Sequence, residues 1–144
     1  MKTIYITGIL LMLAGGITTP LAAQTVRVRC YKGGVPTYKE VYEYDYVADK
    51  PTFPGGSTEL VRYINNTRRY PRSAYSRGVQ GRVVVSFVVN TDGTVSDVSV
   101  IRGVEKSLDM EAARIIAAMP KWTPGKIRGC SVPVRVIQTI PFRK

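Results

Sequence analysis

The sequence predicts an α+β domain: a small antiparallel sheet of three strands in the order 2-1-3, with two helices packed on one face. Three observations lead there. Arg82 to Asn90 carries Val83, Val85, Phe87 and Val89 on one face and Val84 and Val88 on the other, and a strand apolar on both sides is a central one. Asn90-Thr91-Asp92-Gly93 then supplies turn chemistry, with Gly93 able to take positive φ, and Val95 to Ile101 returns as the second arm of a hairpin. After a helical stretch the chain ends in an extended segment, Val132 to Phe142, and the simplest closure lays this third strand beside the first.

Taken in chain order, the start reads as an export signal. Lys2 supplies the basic beginning, Ile4 to Leu13 an apolar run, and Leu21-Ala22-Ala23 before Gln24 a cleavage site. The rival reading is an uncleaved anchor, since Ile4 to Ala23 carries no charge and approaches the roughly 20 residues of a membrane helix, although Gly15, Gly16 and Pro20 weaken it. Residues 24–52 form an N-terminal extension and 53–144 the folded domain. In the extension, Val26 to Tyr31 alternates as a short strand closed by Gly33-Gly34. A Tyr-rich acidic patch from Glu40 to Asp45 leads to Pro51-Thr52-Phe53-Pro54-Gly55-Gly56, a hinge.

Ser57 caps the first helix, Glu59 complements its dipole, and Leu60, Val61 and Ile64 share a face until Asn65-Asn66 ends it. A very short helix follows, with Pro71 in its first turn, Ala74 and Tyr75 on one side and Gly78 as terminator. Ser107 caps the helix after the hairpin. Asp109 and Glu111 sit in its first turn, Leu108, Ala112, Ile115, Ile116 and Met119 recur at helical spacing, and Pro120 stops it. Lys121 to Ser131 reads as a loop, pinned to the core by Trp122.

Composition excludes whole classes of chemistry. The chain has no histidine, which removes the commonest general base and transition-metal ligand together. Cys30 and Cys130 form no CxxC pair. In an oxidising compartment they would be candidates for one disulfide. Asp109 and Glu111, two apart on a helix, face different sides and are dipole partners rather than an acid/base pair. No cofactor and no metal is expected, and no enzyme. The net charge of +11, which removal of residues 1–23 lowers by only Lys2, suits anionic surroundings such as lipid headgroups, lipopolysaccharide or an acidic protein surface. Nucleic acid is disfavoured, because no helix gathers the arginines into a stripe and the start directs export.

From about Phe53 to Phe142 the chain resembles the C-terminal domain of the TonB family of energy transducers. The pieces that carry the resemblance are Phe53-Pro54-Gly55-Gly56, Tyr70-Pro71, Gly78-Val79-Gln80-Gly81-Arg82-Val83, Asp92-Gly93, Arg102-Gly103 and Pro120-Lys121-Trp122-Thr123-Pro124-Gly125, in that order and spacing. The resemblance implies a periplasmic domain that grips the N-terminal box peptide of TonB-dependent outer-membrane receptors and passes inner-membrane proton-motive energy to them. An inner-membrane proton-channel complex would be a further partner if residues 1–23 remain as an anchor, and a second copy of the chain is another candidate. Where the best-known members carry Gln-Pro-Gln before Tyr70-Pro71, this chain has Thr67-Arg68-Arg69. Only about 30 residues separate Ala23 from Phe53, reaching about 100 Å when fully extended.

The residues point to a site on the last strand. Proline has no N–H, so it belongs on the side of a strand that faces no neighbour, and Pro133 and Pro141 share parity. Their shared side would be an open edge on which Arg135, Ile137 and Thr139 display backbone groups while Val134, Val136, Gln138 and Ile140 pair inward. Such an edge is a docking place for an added strand. The expected binding residues are therefore Val134 to Ile140, with Arg68, Arg69, Tyr70 and Pro71 before the short helix as a second contact. The competing reading is an envelope scaffold that binds anionic components through surface charge, without energising a receptor.

Overall fold

A computed structural model of the chain describes Lys2–Ile6, Gln24–Val28 and residues 41–144. It divides into two compact units, Met1–Thr37 and Tyr38–Lys144. In the first, β1 (Lys2–Ile6) and β2 (Gln24–Val28) pair antiparallel, from Lys2↔Val28 to Ile6↔Gln24. The strand expected at Val26 to Tyr31 thus begins at Gln24, and its last residues, with Cys30 and the stretch 7–23, lie outside the described residues. Among the described residues no helix is long and apolar enough to cross a membrane.

The second unit is an α+β fold on a four-stranded sheet. Its elements are β3 (Tyr42–Glu43), a 3-10 turn at Tyr44–Tyr46, α1 (Ser57–Thr67), α2 (Arg72–Ser76), β4 (Gly81–Val89) and β5 (Val95–Arg102). Then come α3 (Lys106–Ala117), β6 (Gly125–Ile127), β7 (Cys130–Val132) and β8 (Val134–Phe142). The sheet order is β3-β8-β4-β5. The strands read from the sequence are β4, β5 and β8, so the expected order 2-1-3 holds, with β4 in the centre. It pairs antiparallel with β8 from Gly81↔Phe142 to Val89↔Val134, and with β5 through two register shifts.

Periodicity explains the packing. Val83, Val85, Phe87 and Val89 of β4 are fully buried, and Leu108, Ala112, Ile115 and Ile116 of α3 lie in the same core with Ile140 and Phe142 of β8. Burial of each such large side chain stabilises by about 1.5–3 kcal/mol. Trp122 joins them as expected, packed edge-on to Phe53 at 5.7 Å and Phe87 at 5.5 Å. Gly93 has φ +87 at the hairpin, as the turn demands. It is held there by a second constraint: a Cβ would lie 2.0 Å from the Trp122 carbonyl oxygen, whose own amide donates to Gly93 O at 2.8 Å.

Local expectations at the helix ends and faces are corrected. Ser57 is the first residue of α1 rather than its cap. That place is taken by Gly56 at φ 85, whose carbonyl accepts from Leu60 N–H, and the helix runs past Asn66 to Thr67. Val61 is exposed, because the buried stripe is Leu60, Tyr63 and Ile64. Tyr75 is likewise exposed while its neighbour Ala74 is buried. Glu105 occupies the cap position of α3. Ser107 donates to the Glu105 carboxylate instead, while Asp109 reaches back to the Val104 N–H at 2.9 Å.

The stretch read as a loop contains the β6–β7 hairpin, closed by Arg128 at φ 50 and Gly129 at φ 78. Positive φ at both central residues is the two-residue turn that asparagine-glycine announces. Arginine in the first place hid it.

Candidate functional site

Two hydrogen bonds define the direction in which β8 presents its backbone. The Tyr42 N–H donates to Pro133 O at 2.9 Å, and the Arg68 guanidinium donates to Pro141 O. Neither acceptor faces β4. The carbonyls of both prolines therefore look to the outer side, and in a pleated strand the residues of the same parity, Arg135, Ile137 and Thr139, do too. Their side chains are exposed, whereas Val134, Val136 and Ile140 are buried against the core and Gln138 is half-buried.

This edge is shorter than the sequence suggested. β3 pairs parallel with its beginning, Tyr42↔Val134 and Glu43↔Arg135, and the Glu43 carboxylate lies 3.6 Å from Arg135 Nε. At the far end Arg68 caps Pro141, and the Gln138 side-chain amide donates to Thr139 O at 3.1 Å. Between these covers stands Ile137, an aliphatic side chain 57% exposed. A two-residue strand of Tyr and Glu carries no measurable period, which is why β3 escaped the sequence; the acidic patch around it was the visible trace.

A cavity of about 540 Å³ opens beside Ile137. Its apolar lining comes from Phe53, Leu60, Trp122 and Val136, and its rim from Glu43, Tyr44, Asp45 and Arg135. The hinge predicted at Pro51 to Gly56 shapes one wall: Gly55 and Gly56 both take positive φ, and Thr52 bonds Thr123 in both directions at 3.1 and 2.8 Å. Extended backbone and an apolar recess thus lie side by side, a combination that can hold a strand by its main chain and one of its side chains by burial.

The segment before α2 divides in its roles. Arg68 shares a second hollow, about 380 Å³, with Asn65, Arg82, Thr139, Pro141 and Arg143, which makes the far end of the edge strongly basic. Arg69 turns the other way. Its backbone N–H donates to Glu111 at 2.8 Å, and Glu111 also accepts from Arg114, whose guanidinium reaches Thr67 O at 2.9 Å. Burial pushes the Glu111 carboxyl up, but the bonds from Arg114 and from the Arg69 N–H outweigh it and hold it below the usual range. Tyr70 stacks edge-on to Phe142 at 5.6 Å and donates to Val79 O, and Pro71 accepts from Tyr75 N–H at the start of α2. Of the four residues only Arg68 bonds to the outward backbone of β8; the others fix the chain around α2 to the core and to α3.

Cys130 is disulfide-bonded, and Cys30, the other cysteine of the chain, lies outside the described residues.

With this geometry in hand, comparison with known proteins is informative. Residues 66–143, more than half of the chain, match the family model described as the Gram-negative bacterial TonB protein C-terminal. Protein TonB of Helicobacter pylori is 42% identical over 53 residues, which is 34% of this chain and 19% of that protein. Protein TonB of Pseudomonas aeruginosa is 41% identical over 54 residues, 37% of this chain and 15% of that protein. The matched part therefore spans less than a fifth of these relatives' length. Among solved structures, the H. pylori TonB C-terminal domain (residues 194–285 of that protein) is similar, with 28% identity and a TM-score of 0.46, covering 59% of this chain and 89% of that one. The P. aeruginosa TonB C-terminal domain follows with 26% identity, a TM-score of 0.40 and coverage of 54% and 80%.

Proposed function

The chain belongs to the Gram-negative bacterial TonB C-terminal family, and from that premise we propose that residues 53–144 are a periplasmic binding module that captures an extended receptor peptide by strand addition to β8. The peptide is the N-terminal box segment of a TonB-dependent outer-membrane receptor, and the process served is energy-dependent transport. Should residues 1–23 persist as an anchor, the inner-membrane proton-channel complex is the source of that energy. The observation that carries the reading is the outer side of β8, where Pro133 and Pro141 turn their carbonyls away from β4 and Ile137 stands exposed beside an apolar cavity. Main-chain bonds to Arg135, Ile137 and Thr139 supply affinity; Arg135, Ile137 and Arg68 supply selectivity. So small a contact gives micromolar binding.

The experiment is a titration of the isotope-labelled protein with synthetic peptides copied from the N-termini of outer-membrane receptors of the same bacterium. Binding is expected to move the amide signals of Arg135, Ile137 and Thr139 first and to survive 1 M salt, where the Debye length is about 3 Å. Binding that vanishes at that salt, with shifts spread over the arginines, would favour the scaffold that reads anionic envelope components by charge alone.

A further inference from the structure

The edge of β8 already holds a strand. Tyr42–Glu43 lies on it in parallel, its backbone bonded to Pro133 O and its carboxylate set against the Arg135 guanidinium. The next residues, Tyr44 and Asp45, line the same cavity as Phe53, Leu60 and Trp122. An acidic, aromatic segment of a chain whose net charge is +11 therefore sits where an incoming strand would sit. Its hold is slight. Two residues pair, the ion pair is 46% and 57% exposed on its two sides, and exposed pairs of this kind are nearly neutral in water. After Glu43 the 3-10 turn takes the chain off the edge, before Ile137 and Thr139 can be reached.

We propose that Tyr42–Glu43 is a resident stand-in for the ligand: the edge takes an extended peptide that runs parallel to β8 with a carboxylate opposite Arg135, and that peptide binds by displacing the segment Tyr42–Tyr46. The inference rests on the strand-addition reading and adds to it a direction, a register, a charge and a competitor. A longer strand in the same direction makes the bonds that Tyr42–Glu43 makes and continues along Ile137 and Thr139, so it wins on length. The stand-in wins on tethering, since a short covalent link gives it an effective concentration in the millimolar range. The apparent affinity of any ligand is reduced by the fraction of molecules in which the edge is free.

The test uses the full chain and an octapeptide copying residues 39–46, supplied in solution. Tyr42→Pro removes the N–H donated to Pro133, and Glu43→Lys sets like charges face to face at Arg135. The octapeptide is expected to bind both variants at least tenfold more tightly than the parent, about 1.4 kcal/mol, with the Arg135 and Ile137 amides shifting. A copy with lysine at the position of Glu43 is expected to bind more weakly than the parent octapeptide, and Arg135→Glu to reverse that preference. Equal binding to parent and variants, or binding to neither variant while their melting temperatures match the parent's, would overturn the inference. If receptor-derived peptides then still move the Ile137 and Thr139 amides, equally in all three proteins, strand addition stands and only the stand-in falls. If they bind none of the three, both readings fall together.

Discussion

At the scale of single residues, the fold depends on positions where two demands coincide. Val85 is fully buried in the central strand, and an unpaired carboxylate there costs several kcal/mol against a total stability of about 5–15. Val85→Asp is expected to abolish the cooperative melt; a transition near the parent temperature would show that the strand is not central. Gly93 is constrained by both φ and the Trp122 carbonyl, so Gly93→Ala combines a strained backbone with a clash and should cost at least about 1–3 kcal/mol in chemical denaturation, where a neutral effect would contradict the geometry. Glu111 offers a pH signature. Its carboxyl is held below its ordinary value of 4.5, so its ionised form contributes stability that is complete above that value and fades as pH falls through the lower folded pKa. Glu111→Gln should lower the melting temperature at neutral pH and lose less of it than the parent on acidification below 4.5. A parallel decline of both proteins would remove Glu111 from the account.

Among elements, legibility followed period and length. β4 and α3 were readable because nine and twelve residues repeat their apolar spacing often enough to fix both type and buried face. The parity of Pro133 and Pro141 fixed the outer side of β8, because a missing donor is a fact of the residue itself. What escaped was short or disguised: the two residues of β3, and the β6–β7 turn with Arg128 where asparagine would announce it. In the expected contact before α2, sequence says that Arg68 and Arg69 are adjacent but not that they diverge. β8 gives a discriminating pair of substitutions. Ile137→Pro removes an outward N–H and leaves the inward ladder whole, whereas Val136→Pro breaks a bond to β4. Ile137→Pro should weaken peptide binding by roughly tenfold or more, one lost bond with its unpaired acceptor being worth about 1–3 kcal/mol, and Val136→Pro should reduce stability more than Ile137→Pro does. The opposite ranking, or faster exchange of the Val136 than of the Ile137 amide, would move the binding edge elsewhere.

On the scale of the whole molecule, the core rests on apolar packing and the covalent frame on a disulfide at Cys130. Among the described residues, the buried cluster runs from Phe53 to Phe142. A chain beginning at Gln24, the form expected after export, is expected to melt as the full chain does when both are followed by Trp122 fluorescence, and a large loss would assign β1 a stabilising part. The disulfide works differently. Cys130 is bonded at the start of β7, and the partner we propose is Cys30, about 100 residues earlier, a separation at which closing the loop removes much of the unfolded chain's freedom. Reduction is then expected to lower stability by roughly 2–4 kcal/mol. Mass analysis decides the pairing. Alkylation without reductant should leave both cysteines unmodified, and proteolysis should release one cross-linked fragment containing residues 30 and 130. Two alkylated thiols in the unreduced protein, or a fragment joining Cys130 of one chain to Cys130 of another, would replace the internal bridge with free cysteines or with a covalent dimer.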